Sequence, residues 1–348
     1  MQEFVLGTRL CYGQGALEQL HTFGYTKVLL VTDSFFVKNG TAAKIGAQCV
    51  GAQVCIFDKV QPDPQLSLVA QGVAMLQSFQ PDAIIALGGG SAIDCAKGIM
   101  AMANTVADLI AIPTTSGTGS EVTSFAILTH DAVKHPLVDE RLRPKIAILD
   151  DSLLQALPKT LIADAGMDVA AHCLEAIAAK NASPFSNALA TGALQIVLEK
   201  LPLSYQGDVS VRGELHCAAT MAGIAFDNAG LGICHALSHA LGGIFHIAHG
   251  RLNAILLPSV IRFNNSPAYL SAAKRCGIAS TRALIFALER LRRTLELPAS
   301  LTQAGLERSE VIKHMEALCS AALKDPCIAS NPTTATKEDL SRILREVL

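Results

Sequence analysis

Five polar residues between positions 168 and 249 are spaced so that they could share one metal ion. Asp168 and His172 lie four positions apart, as do His235 and His239, and His249 follows ten residues later. Side chains four positions apart lie on one face of an α-helix. A carboxylate with several imidazoles suits a divalent first-row metal such as Fe²⁺ or Zn²⁺. A lone histidine in an apolar helix is usually an ordinary core residue, but two such pairs favour metal binding.

Two glycine-containing stretches in the first half could hold a phosphate group. Gly88-Gly89-Gly90-Ser91 stands between a predicted strand ending at Leu87 and a predicted helix from Ala92. Glycines let the backbone approach a ligand closely, and a helix N-terminus attracts an anion. Pro113–Glu121 follows another predicted strand and carries hydroxyls and two glycines. Each stretch alone could be a turn without a ligand, but ligands do bind at the carboxyl ends of parallel strands.

Asp33 follows the predicted strand Lys27–Val31 after one intervening residue. A carboxylate at this point can accept hydrogen bonds from an adenine ribose and would repel a 2′-phosphate, which favours NAD over NADP. An aspartate after a strand is also a common helix cap.

The elements that must position these residues differ between the two halves. Short apolar runs alternate with helical patterns up to about Asp150, which predicts a parallel α/β sheet. The predicted strands are Lys27–Val31, Gln53–Phe57, Ala83–Leu87, Leu109–Ile112 and Lys145–Leu149, and the predicted helices between them include Leu66–Gln77 and Ala92–Met102. From about Thr160 the apolar spacing is helical throughout, in Leu161–Ala179, Ser186–Leu201, Glu214–Phe226 and Ala283–Leu297. We therefore predict domains at 1–155 and 156–348.

Composition excludes several classes of function. The 348 residues are half hydrophobic, with a formal net charge of −2, and no run of basic residues is present. A nucleic-acid partner is not expected, because polyanions bind clustered Lys and Arg. No apolar stretch reaches the roughly 18 residues of a membrane span, so a cytoplasmic protein is expected. The ten cysteines form no CxxC pair and are expected to be reduced.

Together these motifs resemble the iron-containing, or group III, alcohol dehydrogenases. The resemblance is carried by Gly88–Ser91 with Asp94 and Lys97, the 114–121 loop, the Asp168/His172 pair and the 230–250 stretch. It implies an α/β Rossmann-like N-terminal domain with a parallel sheet and an all-α C-terminal domain, the dehydroquinate synthase-like fold. It also implies NAD(H) and Fe²⁺ as cofactors, with Zn²⁺ as the other candidate metal.

The resemblance implies a role for each matching position. The metal ligands would be Asp168, His172, His235 and His249. His239 matches a non-ligand active-site histidine that helps to relay the alcohol proton. The residues at the cofactor would be Asp33, Gly88, Gly89, Gly90, Ser91, Asp94, Thr114, Thr115, Thr118 and Lys134, and those at the substrate pocket would be Phe125, Phe226 and Cys327.

Within that family, both ends of the chain resemble the 1-propanol dehydrogenases of propanediol-utilisation microcompartments. The matching stretches are 10–17 and 328–332. This subgroup implies reduction of a short, propanal-like aldehyde with regeneration of NAD⁺. It further implies a homodimer or larger homo-oligomer in a bacterial cytoplasm, either free or inside a microcompartment and its shell. Phe125 stands where some diol-acting members carry a polar side chain, which suggests an apolar substrate tail.

Two alternative functions use the same features. A non-redox lyase of the dehydroquinate synthase type would also take NAD and a metal, but it needs basic residues for an acidic substrate. No such cluster stands beside the metal motif. An inactive scaffold protein is the other alternative, and the presence of all four expected ligands disfavours it.

Overall fold

The structure, a computed structural model, describes residues 3–130 and 133–348, apart from the side chains of Val133 and Lys134. The described chain divides into two compact units. One is Val5–Ala156, and the other is Leu157–Leu348 with residues 3–4.

The first unit is built on a parallel sheet of six strands. Its strands are β1 (Arg9–Tyr12), β2 (Lys27–Val31), β3 (Gln53–Phe57), β4 (Ala83–Gly88), β5 (Asp108–Pro113) and β8 (Ile146–Leu149), in the order β1-β8-β5-β4-β2-β3. Every neighbouring pair is parallel. Strand β4 lies inside the sheet and all six of its residues are buried. This explains its continuous apolar sequence, because a parallel strand covered on both faces needs no polar side.

Helices cover both faces of this sheet, and alternate strand residues supply two separate cores. The helices are α1 (Ser34–Lys38), α2 (Thr41–Gln48), α3 (Leu66–Phe79) and α4 (Gly90–Ala103). Ile84 and Ala86 pack with residues of α3 and α4 on one face. Ile85 and Leu87 pack with Ala42 and Ile45 of α2 on the other face, as the two-residue strand period requires.

Two more strands form an antiparallel hairpin, β6 (Phe125–His130) and β7 (Val133–Val138). The sequence pattern did not predict this hairpin or β1. Pro136 and two histidines interrupt the apolar alternation of the hairpin, and β1 is a four-residue edge strand with one buried residue. The five predicted strands are confirmed to within one residue at each end.

The second unit contains no strand in residues 157–348. Its helices are α5 (Lys159–Ala178), α6 (Pro184–Gln206), α7 (Arg212–Ala229), α8 (Ile233–Phe245), α9 (His249–Asn264), α10 (Pro267–Arg275), α11 (Thr281–Thr294), α12 (Arg308–Lys324) and α13 (Lys337–Glu346). Helix α5 is buried from Gly166 to Ala178 and packs against α6, α7 and α9. Small residues allow this close packing, since a Cβ on Gly166 would lie 2.4 Å from Leu201.

The predicted fold class, a parallel-sheet domain followed by a helical domain, is confirmed. Among the described helices, none is long and apolar enough to cross a membrane alone. One pair, Val209–Ala229 with Ile233–Phe245, reaches that length and hydropathy only in combination and is bent by 104°.

Candidate metal and cofactor sites

Three of the predicted metal ligands converge in the helical unit. Asp168 comes from the middle of α5, His235 from the first turn of α8, and His249 is the first residue of α9. Asp168 Oδ1 lies 3.5 Å from His249 Nε2 and 3.8 Å from His235 Nε2. All three ligand atoms lie within 4.8 Å of one another, so one ion could contact them all after small adjustments.

The side-chain amide of Asn253 occupies the centre of this trio. Its Nδ2 lies 2.7 Å from Asp168 Oδ1, 3.3 Å from His235 Nε2 and 3.2 Å from His249 Nε2. The three ligand atoms therefore surround one hydrogen-bond donor. A divalent cation also binds where several lone pairs converge, so the donor set fits a metal ion. Asn253 lies one helical turn after His249, and the sequence pattern did not indicate a role for it.

The charges around the trio also suit a cation. Burial alone would raise the pKa of Asp168, but His172, His249 and His235 outweigh it, and the pKa of this carboxyl is lowered. Burial also holds the pKa of His249 well below its usual value, only partly offset by Asp168. A charged carboxylate beside an uncharged imidazole is the protonation state that metal ligation requires.

Glu175 holds His235 in place and was missed at the sequence level. Its Oε2 lies 2.6 Å from His235 Nδ1, which leaves Nε2 facing the trio. The same carboxylate accepts the backbone N–H groups of Gly232 and Cys234 at the start of α8. Although burial opposes it, this contact raises the pKa of His235. A buried glutamate one turn after His172 in an apolar helix was the available signal.

His172 and Phe226 form the wall beside the trio. The His172 ring stacks on His235 with a centroid separation of 4.6 Å, and Phe226 stacks on the other side of His172 at 4.4 Å. His172 lies outside the group of three whose ligand atoms converge. The structure thus brings three predicted ligands together and places the fourth next to them. Phe226 is buried there.

His239 lies on α8, one turn after His235, and pairs with an acidic residue. Its Nδ1 is 2.8 Å from Asp325 Oδ2, and its ring stacks on that of His249 at 5.0 Å. Asp325 follows α12 and also accepts the backbone N–H of Cys327. Burial would raise the pKa of Asp325, but the bond to His239 lowers it to about 2. The sequence predicted roles for His239 and Cys327 but not for Asp325, which lies 86 positions after His239.

The glycine turn of the first unit, Gly88–Ser91, packs against the hydroxyl loop, Pro113–Glu121. A Cβ on Gly89 would lie 3.2 Å from Thr115 Oγ1, and one on Gly90 would lie 2.8 Å from Thr118 Cγ2. Gly88 has a φ of +147°, and a Cβ there would meet Ala92 at 2.7 Å. Only glycines allow this contact, and they bring Thr114, Thr115 and Thr118 beside the N-terminus of α4. Ser91 is half-buried in the first turn of that helix.

Asp94 holds the hydroxyl loop rather than pointing a free carboxylate at a ligand. It accepts hydrogen bonds from Ser120 Oγ at 2.6 Å and from the backbone N–H of Ile127 at 3.0 Å. The buried Lys97, one turn on, donates to the carbonyl oxygens of Thr123 and Phe125. These bonds tie α4 to the segment that follows the loop. The Phe125 ring lies 6.0 Å from the Lys97 ammonium, within the first unit.

Two further residues, Asp33 and Lys134, were predicted to lie at the cofactor. Asp33 caps α1, because its Oδ1 accepts the N–H groups of Phe35 and Phe36. This cap engages one carboxylate oxygen of Asp33. The negative charge of Asp33 remains at the carboxyl end of β2. The side chain of Lys134 lies outside the described part of the structure.

Comparisons with known proteins give one consistent answer. The family described as iron-containing alcohol dehydrogenase matches residues 7–151, and its C-terminal counterpart matches residues 162–348. The chain is 39% identical to the 1-propanol dehydrogenase PduQ of Salmonella typhimurium, with 100% of both chains covered. It is 35% identical to the NADPH-dependent butanol dehydrogenase of Clostridium saccharobutylicum, over 99% of this chain and 97% of that one. The iron-containing alcohol dehydrogenase of Thermococcus thioreducens superposes with a TM-score of 0.95 at 31% identity, covering 99% of each chain.

Proposed function

Because this chain belongs to the iron-containing alcohol dehydrogenase family, we propose that it interconverts a short-chain aldehyde and its primary alcohol with NAD(H). The physiological direction would be reduction of a propanal-like aldehyde, which regenerates NAD⁺. The single observation that carries the proposal is the convergence of Asp168, His235 and His249 on one point beside His239.

The metal would be held by side chains from three helices. Asp168, His235 and His249 are proposed as ligands on their geometry, and His172 as the fourth on its adjacent position and the family pattern. When bound, iron supplies Lewis acidity toward the substrate oxygen, and the dinucleotide supplies or accepts the hydride. Glu175 accepts the Nδ1 proton of His235, and this contact keeps Nε2 as the ligand atom.

His239 is proposed to exchange the alcohol proton. Asp325 accepts the Nδ1–H of this imidazole, which fixes the tautomer and leaves Nε2 to take or give a proton. The low pKa of Asp325 keeps that carboxylate charged during turnover at neutral pH. A charged partner stabilises the imidazolium that forms when His239 takes a proton.

The dinucleotide is proposed to bind at the glycine turn of the first unit. Its pyrophosphate would lie against Gly88, Gly89, Gly90 and Ser91, where the N-terminus of the 14-residue α4 favours an anion. Thr114, Thr115 and Thr118 would offer hydroxyl groups to it. Asp94 is proposed to act indirectly, by holding Ser120 and thereby the loop. Asp33 would select NAD over NADP by its charge.

The substrate pocket is assigned to Phe226 and Cys327, which lie beside His172 and beside Asp325. Phe125 is proposed to contact an apolar substrate tail. Comparison of propanal with lactaldehyde tests this point, because a Phe125→Ser variant should lose efficiency toward propanal more than toward the hydroxylated aldehyde. Equal losses toward both substrates would contradict it.

The main test is metal-dependent turnover. The anaerobically purified chain, loaded with Fe²⁺, is expected to oxidise NADH in the presence of propanal. A His235→Ala variant should lose both iron and turnover, whereas the exposed His21→Ala variant should retain both. Absence of turnover with every short aldehyde, despite bound iron and NADH, would refute the proposal and favour an inactive scaffold.

The wider biological setting rests on the family resemblance. A cytoplasmic location, enclosure in a microcompartment and a homodimeric or larger assembly stay predictions. The lyase alternative is not supported by the comparisons, since the matched relatives are named as alcohol dehydrogenases.

A further inference from the structure

Three donor atoms of different chemistry meet on the far side of His239. A ring nitrogen of His239, an oxygen of Asp325 and the sulfur of Cys327 all lie within 4.8 Å of one another, and Nδ1 is the ring nitrogen that faces Asp325. Asp325 and Cys327 stand at the start of a short 3-10 turn, Pro326–Ser330, directly after α12. The Asp325 carboxylate is already oriented, because Oδ1 accepts the Cys327 N–H while Oδ2 faces His239.

This cluster differs from the catalytic trio in its donor chemistry. The trio and His172 offer nitrogen and oxygen only, whereas this cluster adds a thiol. A thiolate, an imidazole and a carboxylate form a common ligand set for Zn²⁺ and for its spectroscopic substitute Co²⁺. One carboxylate and one thiolate also supply two negative charges, which balance a divalent cation without a further anion.

The cluster is accessible enough to admit an ion. The side chains of His239 and Asp325 keep 23% and 15% of their surface exposed. Cys327 is half-buried. Three protein ligands with a partly open side leave room for one water as the fourth ligand, the arrangement of an open zinc site.

We propose that His239, Asp325 and Cys327 form a second metal site, which binds a zinc-type divalent cation next to the catalytic one. Binding forms Nδ1–metal, carboxylate–metal and thiolate–metal bonds and breaks the His239–Asp325 hydrogen bond. The Cys327 thiol releases its proton to solvent, and the His239 proton moves from Nδ1 to Nε2 through solvent exchange.

Occupation of the second site would inhibit the enzyme, a consequence that rests on the proposed role of His239. A metal on Nδ1 replaces Asp325 and leaves the imidazole proton on Nε2. His239 can then no longer accept the alcohol proton at Nε2. Binding itself does not depend on that role, so binding and inhibition are measured separately.

The experiment titrates Co²⁺ into the full-length protein that already carries one equivalent of Fe²⁺, under anaerobic conditions. Only a thiolate ligand gives a near-ultraviolet thiolate-to-cobalt charge-transfer band, and the catalytic ligands include no thiol. The band should appear with one added equivalent of Co²⁺ and should disappear when Zn²⁺ is added. It should be lost in Cys327→Ser and in His239→Ala.

Two variants control for other sources of the signal. Cys49→Ser, which removes a half-buried thiol of the other unit, should leave the band unchanged. His235→Ala, which disrupts the catalytic trio and is therefore titrated without iron, should also retain the band. Absence of the band in the wild type, its persistence in Cys327→Ser, or its loss in His235→Ala would each overturn the proposal. Appearance of the band with Co²⁺ and its loss on addition of Zn²⁺, without inhibition of turnover by Zn²⁺, would overturn the inhibitory consequence and the role given to His239, while the metal site itself would stand.

Discussion

Gly250 sets the distance between two of the helices that carry the proposed metal ligands. It follows His249 in the first turn of α9, and a Cβ at this position would lie 1.9 Å from the backbone oxygen of Asp164 and 3.2 Å from the Cβ of Asp168. The atom in the way belongs to the backbone of α5, so no side-chain rotation relieves the clash. A Gly250→Ala variant must therefore shift α9 relative to α5.

The required shift is large on the scale of metal coordination. Real Cβ atoms essentially never approach closer than 3.0 Å, so the helices must separate by about 1.1 Å along this contact. Metal–ligand distances tolerate only about ±0.2 Å. Overpacking costs roughly 1–3 kcal/mol, and the higher helix propensity of alanine offsets about 1 kcal/mol of that. We expect up to about 2 kcal/mol of net destabilisation, with affinity for Fe²⁺ falling about 10–100-fold.

Thermal unfolding of the apo-protein and iron retention after dialysis against a chelator measure these two effects. Gly243→Ala is the matched control, because it lies in α8 with no atom within 4 Å of the added Cβ. This control should be slightly more stable than the wild type and should keep its iron. If Gly250→Ala behaved like Gly243→Ala in both assays, the packing of α9 on α5 would not define the site as described.

Three other changes have expected outcomes. Glu175→Gln should lower the affinity for Fe²⁺ by about 10–100-fold. Both carboxylate oxygens accept N–H groups, so an amide nitrogen at either position would face an N–H donor. Unchanged retention of iron in a chelator competition assay would contradict this. Asp33→Ser keeps a helix cap but removes the charge, so the ratio of kcat/KM for NADPH to that for NADH should rise, and an unaltered ratio would exclude Asp33 from selecting the cofactor. Asp325 has a folded-state pKa of about 2, below its usual 3.8, so its contribution to stability is present above the unfolded-state pKa and is lost as the pH falls through the folded-state value. Asp325→Asn should therefore lower the free energy of unfolding at neutral pH by on the order of 2 kcal/mol, measured by urea unfolding. This loss should shrink as the pH falls from about 5 toward 2. A loss independent of pH would show that the His239 contact does not lower the pKa of Asp325.

The most deeply buried strands could be predicted closely from sequence. Strand β2 matches its predicted bounds, and β4 differs by one residue. Their signal is strong because a parallel strand between two helical layers must be apolar throughout. The hairpin β6–β7 escaped prediction because its pairing, rather than an apolar alternation, defines it.

The site was predictable where its residues lie within one helical turn of each other. The spacing of Asp168 and His172, and that of His235 and His239, is a local signal of a shared face. Asn253 also lies one turn after His249, but an asparagine in a helix carries no such signal.

Asp94 was predicted at the cofactor and was found bonded to Ser120 and to the backbone of Ile127.

The sequence by itself determined the family, through its resemblance to known members, and the order of the two domains, through the change from short apolar runs to helical apolar spacing. Local spacing also predicted the residue types of the candidate metal site. Only the tertiary structure decided which of those residues converge. It joined Glu175 to His235 and Asp325 to His239, across 60 and 86 positions, and placed the amide of Asn253 between three ligand atoms. The physical reason is that helix packing brings these atoms together: buried small residues such as Gly250 set how closely the helices approach, and no local pattern records that distance.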